Sequence, residues 1–456
     1  MERPNAWKQY SETDMEKLEA VAADYRKFLD SGKTERECVT EAVRLAEEKG
    51  FKRLETTEKL VPGDKVYSDC MGKALQLYII GKKPLEQGIA IVGAHIDSPR
   101  LDIKQNPLYE EADYAYLDTH YYGGIKKYQW LTMPLALHGV IAKKDGTKVT
   151  LSIGEDENDP VFYISDILPH LGATQMEKKA SNFVDGESLN IIVGGRPLAG
   201  EEKEPVKAAV LKHLKEKYGV SEEDFLSAEI EAVPAGKCRE VGFDRSLLMG
   251  YGHDDRVCGY ASLRAILSID AIPETTCCCI LADKEEIGSV GATGMQARYF
   301  ENAVAELMLR AGCYSEIALR RCLAACRMLS CDVSAGYDPN FAECFEKNNS
   351  AYLGRGVCFN KYTGARGKSG SNDANAEYLG RLRALLDANG VYFQTAELGK
   401  VDQGGGGTIA YICALYGMEV VDSGVPVLSM HAPWEIISKA DLYEAVKGYR
   451  AFMLYA

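Results

Sequence analysis

Cys277-Cys-Cys-Ile-Leu281-Ala-Asp-Lys-Glu285-Glu286-Ile-Gly-Ser289 decides the reading of this chain: an apolar run ends in two adjacent carboxylates that open a turn. The run reads as a buried strand in which the cysteines serve as small hydrophobes. Crowded carboxylates repel and resist desolvation. A fold seldom sets two at a half-buried strand end unless a cation or a proton transfer compensates. One acid of such a pair can bind metal while its neighbour acts as base.

Four other segments place metal-type residues at the same kind of position. Ile89-Ala-Ile-Val-Gly-Ala-His95-Ile-Asp97 is a β-branched strand ending in His and Asp two residues apart, hence on one face. Gly252-His253-Asp254-Asp255-Arg256 puts an acid pair ahead of an amphipathic run over residues 257–269, at a helix start. Met328-Leu-Ser-Cys-Asp332 and Val425-Pro-Val-Leu-Ser-Met-His431 end further apolar runs in Asp and His. Taken singly, a strand-end His is usually a hydrogen-bonded structural residue and an Asp pair a helix cap. Taken together they predict an α/β fold whose mostly parallel sheet gathers these ends into one crevice. Two His and several carboxylates, without Cys, suit zinc, cobalt or manganese rather than a thiolate-rich structural site.

At these residues the chain resembles the M18 family of metalloaminopeptidases, the aspartyl aminopeptidase relatives, over nearly its whole length. The matching segments are Gly93-Ala-His95-Ile-Asp97-Ser-Pro, the Asp254-Asp255 helix start, Asp283-Lys-Glu285-Glu286-Ile-Gly-Ser, Asp332 with Pro339-Asn340 downstream, and Ser429-Met-His431. The resemblance implies two divalent ions, zinc first and cobalt or manganese as alternatives. It makes His95, Asp254 and Asp332 ligands of one ion and Asp254, Glu286 and His431 ligands of the other, with Asp254 bridging. It further implies Glu285 as general base, Asp97 orienting His95, and a cis peptide between Asp254 and Asp255. His253 receives no ligand role. The implied fold is of the zinc aminopeptidase type, a mixed, mostly parallel sheet flanked by helices, with an inserted dimerisation domain inside a tetrahedral dodecamer.

Residues 13–29 and 34–49 read as amphipathic helices and residues 65–67 and 74–80 as strands leading to the His95 strand. Between about 100 and 243 the texture changes to short β-like runs and tyrosine-rich turns, with one charged helix over 203–218. The expected division is therefore a catalytic domain over 1–99 and 244–456 and an inserted β-rich oligomerisation domain over 100–243. Within the insert, His170 of Ile167-Leu-Pro-His170-Leu is the candidate for a histidine that the resemblance sends into a neighbouring subunit's site.

Two glycine-rich segments remain. Gly364-Ala-Arg-Gly-Lys368-Ser369 imitates a P-loop end, but Tyr362 stands where the first glycine is required. Gly404-Gly-Gly-Gly-Thr408 precedes an apolar run and could bind an anion or admit a substrate backbone, which makes Gly405 and Gly406 candidate substrate contacts, with Asp402 beside them facing a cation. The acid-specific branch of the family carries a Lys near Cys358, so no preference for acidic N-termini is expected.

At 456 residues and 46 % hydrophobic the chain can bury a large core, and its net charge of −14 argues against nucleic-acid binding. The start of the sequence lacks an apolar leader and no run reaches membrane-spanning length, so a cytoplasmic protein with its 14 cysteines reduced is expected. The expected activity is removal of N-terminal residues from peptides with a free N-terminus. The other readings are a deacylase or carboxypeptidase on the same ligands and a catalytically silent assembly relative.

Overall fold

The computed structural model describes residues 4–456, so the first three residues of the N-terminal stretch read above lie outside it. The chain forms two compact units. The larger comprises Met1–Asp97, Cys238–Met430 and Glu435–Ala456, the smaller Ser98–Lys237 and His431–Trp434.

The larger unit is built on a nine-stranded mixed sheet. Four of its strands run parallel at its centre, in the order Thr276–Ala282, Ile89–His95, Arg327–Cys331 and Glu419–Gly424. All seven residues of Thr276–Ala282 and of Ile89–His95 are buried, as expected of strands covered on both faces. Side chains alternate between two cores. Ala90, Val92, Cys277, Cys279 and Leu281 pack with Tyr25, Phe28, Tyr260, Leu442 and Tyr449 on one face. Ile91, Cys278, Ile280, Met328 and Val420 pack with Phe300, Leu307, Leu319 and Ile412 on the other. A five-stranded sheet, Arg239–Val241, Leu247–Gly250, Glu435–Ser438, Pro426–Leu428 and Ser334–Ala335, completes the unit.

The first two helices, Glu12–Ser31 and Glu35–Glu48, start at capping boxes, Ser11 with Asp14 and Thr34 with Glu37. The run after Asp254 departs from its amphipathic reading. Helix His253–Leu267 is buried at every position except Arg264, because it lies between the sheet and the C-terminal helix Lys439–Tyr455.

The smaller unit is a six-stranded antiparallel sheet, ordered Lys148–Ile153, Leu135–Ala142, Ala228–Pro234, Arg100–Glu111, Tyr114–Tyr122 and Ile191–Gly194, with helix Pro205–Tyr218 packed on it. The long strand Arg100–Glu111 slips register between Ile103 and Leu108. Pro107 falls inside that slip, where a missing N–H costs no ladder bond. Among the described residues none of the fourteen cysteines forms a disulfide. Among the described residues no helix is long and apolar enough to cross a membrane.

Candidate metal centre

Parallel pairing brings the strand ends level. His95 closes its strand opposite Ala282, one residue before the Asp283–Glu286 turn begins, and Ser330 pairs with Gly93, so Asp332 reaches the level of His95. Lys284 takes a left-handed φ of 65° and turns the chain into Glu285 and Glu286, both half-buried. Asp254 comes from the start of helix His253–Leu267, where its φ of −78° and ψ of 107° are not yet helical. The peptide bond between Asp254 and Asp255 is cis, as the resemblance implies.

His95 Nε2 lies 3.3 Å from Asp254 Oδ1 and 3.9 Å from Asp332 Oδ1. Its Nδ1 lies 3.0 Å from the Asp97 carbonyl and 3.3 Å from the Asp97 carboxylate. A carbonyl can only accept, so Nδ1 carries the proton and Nε2 offers its lone pair toward two carboxylates. Three electron-rich atoms converge there, and only a proton or a cation can sit between them. Burial alone would lower the His95 pKa, but hydrogen bonds to Asp254 and Asp97 raise it well above the usual imidazole range. Burial, then the charge of Glu285, pushes Asp332 well up. A divalent ion would displace these protons, and one nitrogen with two carboxylates is a donor set that suits zinc.

Ligand-capable atoms of His95, Asp254 and Asp332 lie within 4.8 Å of one another, and so do those of Asp254, Glu286 and His431. Asp254 belongs to both groups; Glu285 belongs to neither. His431 occupies the short turn between strands Pro426–Leu428 and Glu435–Ser438, with a left-handed φ of 64° and Nδ1 2.8 Å from the Gly124 carbonyl. That carbonyl fixes its tautomer as Asp97 fixes that of His95, leaving Nε2 as the donor atom.

The surroundings hold these groups in place. Asp97 accepts the backbone N–H of Glu285 on one carboxylate oxygen and that of Glu286 on the other, each at 3.2 Å. It thus clamps the acid pair as well as His95. Glu435, 1 % exposed, accepts the backbone N–H of Asp254 at 2.9 Å. Sequence reasoning missed Glu435; its only signal was an acid four residues beyond His431.

His253 is fully buried and uses both ring nitrogens: Nε2–H donates to the Leu248 carbonyl at 3.2 Å and Nδ1 accepts the Tyr25 hydroxyl at 2.7 Å. Burial lowers its pKa to about 3, so it is a neutral anchor under the Asp254 turn. Tyr25→Phe is expected to lower unfolding free energy by about 1–3 kcal/mol, the cost of a buried acceptor left unsatisfied. Urea unfolding reads this, and an unchanged midpoint would refute it.

The glycine run serves the chain's own packing first. A Cβ at Gly404 would stand 1.6 Å from the Leu398 carbonyl oxygen, and one at Gly405 would stand 2.0 Å from that of Gly364. Gly407 has open space around it. Asp402 is exposed in a left-handed turn with φ of 72°. His170 is exposed in the short turn Pro169–Leu171 of the smaller unit. Lys368 of the P-loop imitation is held by Asp373 at 2.9 Å and lies over the Tyr362 ring.

A family model described as aminopeptidase I zinc metalloprotease (M18) matches residues 28–453. The protein named "Probable M18 family aminopeptidase 1" of Clostridium acetobutylicum is 58 % identical, over 99 % of this chain and 98 % of its own. The crystal structure of an M18 family aminopeptidase from Thermotoga maritima superposes with a TM-score of 0.96 at 47 % identity, covering 100 % of both chains. The S. cerevisiae mApe1 dodecamer shares the fold, with a TM-score of 0.77 at 20 % identity over 95 % of this chain and 96 % of its own.

Proposed function

The chain belongs to the aminopeptidase I zinc metalloprotease (M18) family and is a metalloaminopeptidase; from that premise we propose that it holds two divalent ions and releases N-terminal residues from peptides with a free N-terminus. The observation that carries this reading is the overlap of two ligand groups on one carboxylate, with an unshared glutamate alongside. His95, Asp254 and Asp332 would hold one ion, and Asp254, Glu286 and His431 would hold the other. Zinc is the metal named for the family, and the mixed nitrogen and carboxylate donors accept cobalt or manganese as well. Bound there, the ions supply Lewis acidity that lowers the pKa of a water and polarises the scissile carbonyl.

The chain's own groups do the rest. Glu285 takes the proton of the attacking water and passes it to the leaving amine. Asp97 is a positioning residue: its carboxylate keeps Glu285 and Glu286 in register and its carbonyl keeps His95 in the ligating tautomer. Gly405 and Gly406 are the proposed contacts of the substrate backbone, and Asp402 beside them the proposed partner of a cationic group. Metal-reconstituted protein is expected to cleave unblocked aminoacyl substrates, to leave N-acetylated ones intact, and to contain two equivalents of metal per chain. Turnover of the acetylated series, or a single equivalent at full activity, would overturn the reading.

The segment of about residues 100–243, which includes most of the unit Ser98–Lys237, is proposed as an inserted oligomerisation domain building a cytoplasmic homo-oligomer of the dodecameric type. Exposed Ile167, Leu168, Leu171 and Met176 around His170 support a partner there. His170 would then reach the neighbouring subunit's site and donate to the developing oxyanion, a contact worth about 3 kcal/mol. His170→Ala is expected to lower kcat by roughly 10²-fold with both metals retained. Full activity in that variant, or in a monomer isolated by sedimentation, would remove the cross-subunit role.

A further inference from the structure

Asp422 is 3 % exposed in the strand Glu419–Gly424, paired in register with Ser330. Ser330 in turn pairs with Gly93. Asp422 therefore occupies the cross-strand row two residues short of His95 and Asp332, and period-two alternation puts its side chain on their face of the sheet. The charge of Glu285 acts on it across that face. Burial pushes its carboxyl up to about 7. One carboxylate oxygen accepts the Thr408 hydroxyl at 2.5 Å; the other has no hydrogen-bond partner among the described residues.

Thr408 closes the glycine run. The backbone N–H of Gly404 donates to the Lys400 carbonyl and Gly406 accepts from the Gly364 N–H, each at 2.8 Å. The next four N–H groups, of Gly405, Gly406, Gly407 and Thr408, donate to nothing among the described residues. On a half-exposed loop these four consecutive donors stay open to water or to a ligand. The loop's far end is tied to the sheet through Thr408, the buried Ile409 and the short helix Ala410–Ala414 that follows.

We propose that Asp422 is a positioning residue: by gripping the Thr408 hydroxyl it holds the N–H groups of Gly405–Thr408 beside the metal centre, where they bind the carbonyls of an extended peptide beyond the scissile bond. This rests on the aminopeptidase reading and adds the substrate's downstream backbone as the group recognised. A single amino acid on an aromatic amine lacks those carbonyls and makes none of these contacts. The loop is thus a selector for peptides over aminoacyl amides.

The test compares KM and kcat on a tripeptide and on the matching aminoacyl arylamide for metal-loaded wild type, Asp422→Ala, Thr408→Val, and the conservative Asp422→Asn and Thr408→Ser. The Ala and Val variants are expected to raise KM for the tripeptide about tenfold, the worth of one ordinary hydrogen bond, with kcat and metal content held. KM for the arylamide should move less than about twofold. Asn and Ser keep an acceptor at 422 and a donor at 408, and should restore the tripeptide KM. Equal changes on both substrates, no change on the tripeptide, or failure of Thr408→Ser to restore would overturn the proposal. A metal-loaded wild type inert toward both substrates would instead overturn the aminopeptidase premise, and this proposal with it.

Discussion

Glu285→Gln is expected to cut turnover by about 10² to 10⁴ fold while both metal equivalents stay bound. The substitution keeps the side chain's shape and removes only its capacity to take a proton. Glu285 stands outside both ligand groups, so the donor count is untouched. Its backbone N–H still donates to Asp97, so the turn that presents Glu286 keeps its geometry. Steady-state kinetics with elemental analysis of the same preparation read both halves. Loss of metal along with activity would mean that Glu285 is a ligand, and the roles of the acid pair would be exchanged.

Asp254→Asn has the larger expected effect on metal. This carboxylate is shared by the two groups, and an amide presents one neutral oxygen in place of two charged ones. Both sites should weaken by more than the roughly 10- to 100-fold that accompanies loss of an outer hydrogen-bond partner. Activity should fall to background. Asp332→Asn and His431→Ala each touch one group and should release one equivalent. Equilibrium dialysis separates the cases: retention of one equivalent at wild-type affinity in Asp254→Asn would show that Asp254 serves a single ion.

The parallel core of the α/β fold was legible because its strands are short, apolar and end in polar residues. The helix over 34–49 was legible from its amphipathic periodicity, and in the structure it starts at a capping box of Thr34 and Glu37 whose two partners lie within one turn. What escaped the sequence depends on register between distant segments. Glu435 meets the Asp254 N–H only because Leu247–Gly250 pairs with Glu435–Ser438 and so fixes the chain around Gly252. The run over 257–269 looked amphipathic because Arg256 precedes it and Ser262, Arg264 and Ser268 interrupt it. Arg256 is buried all the same: it donates to the Gly32 carbonyl at 2.7 Å and stacks over Tyr251. Local composition cannot reveal that a charged side chain has a carbonyl and a ring waiting on other segments. The glycine run was similarly opaque, since its close approaches are to Leu398 and Gly364, tens of residues away in the case of Gly364.

The strand order also sets a timetable for synthesis. Ile89–His95 takes both of its sheet neighbours, Thr276–Ala282 and Arg327–Cys331, from the far side of the insertion. At 5–20 residues per second the nascent chain therefore carries this apolar strand with both edges unsatisfied for roughly 10 to 40 s. An open strand of this kind pairs with whatever edge it meets, including the same strand on a neighbouring ribosome. Expression yield should then depend on holdase chaperones acting on the first third of the chain, and truncations ending before residue 331 should aggregate rather than fold.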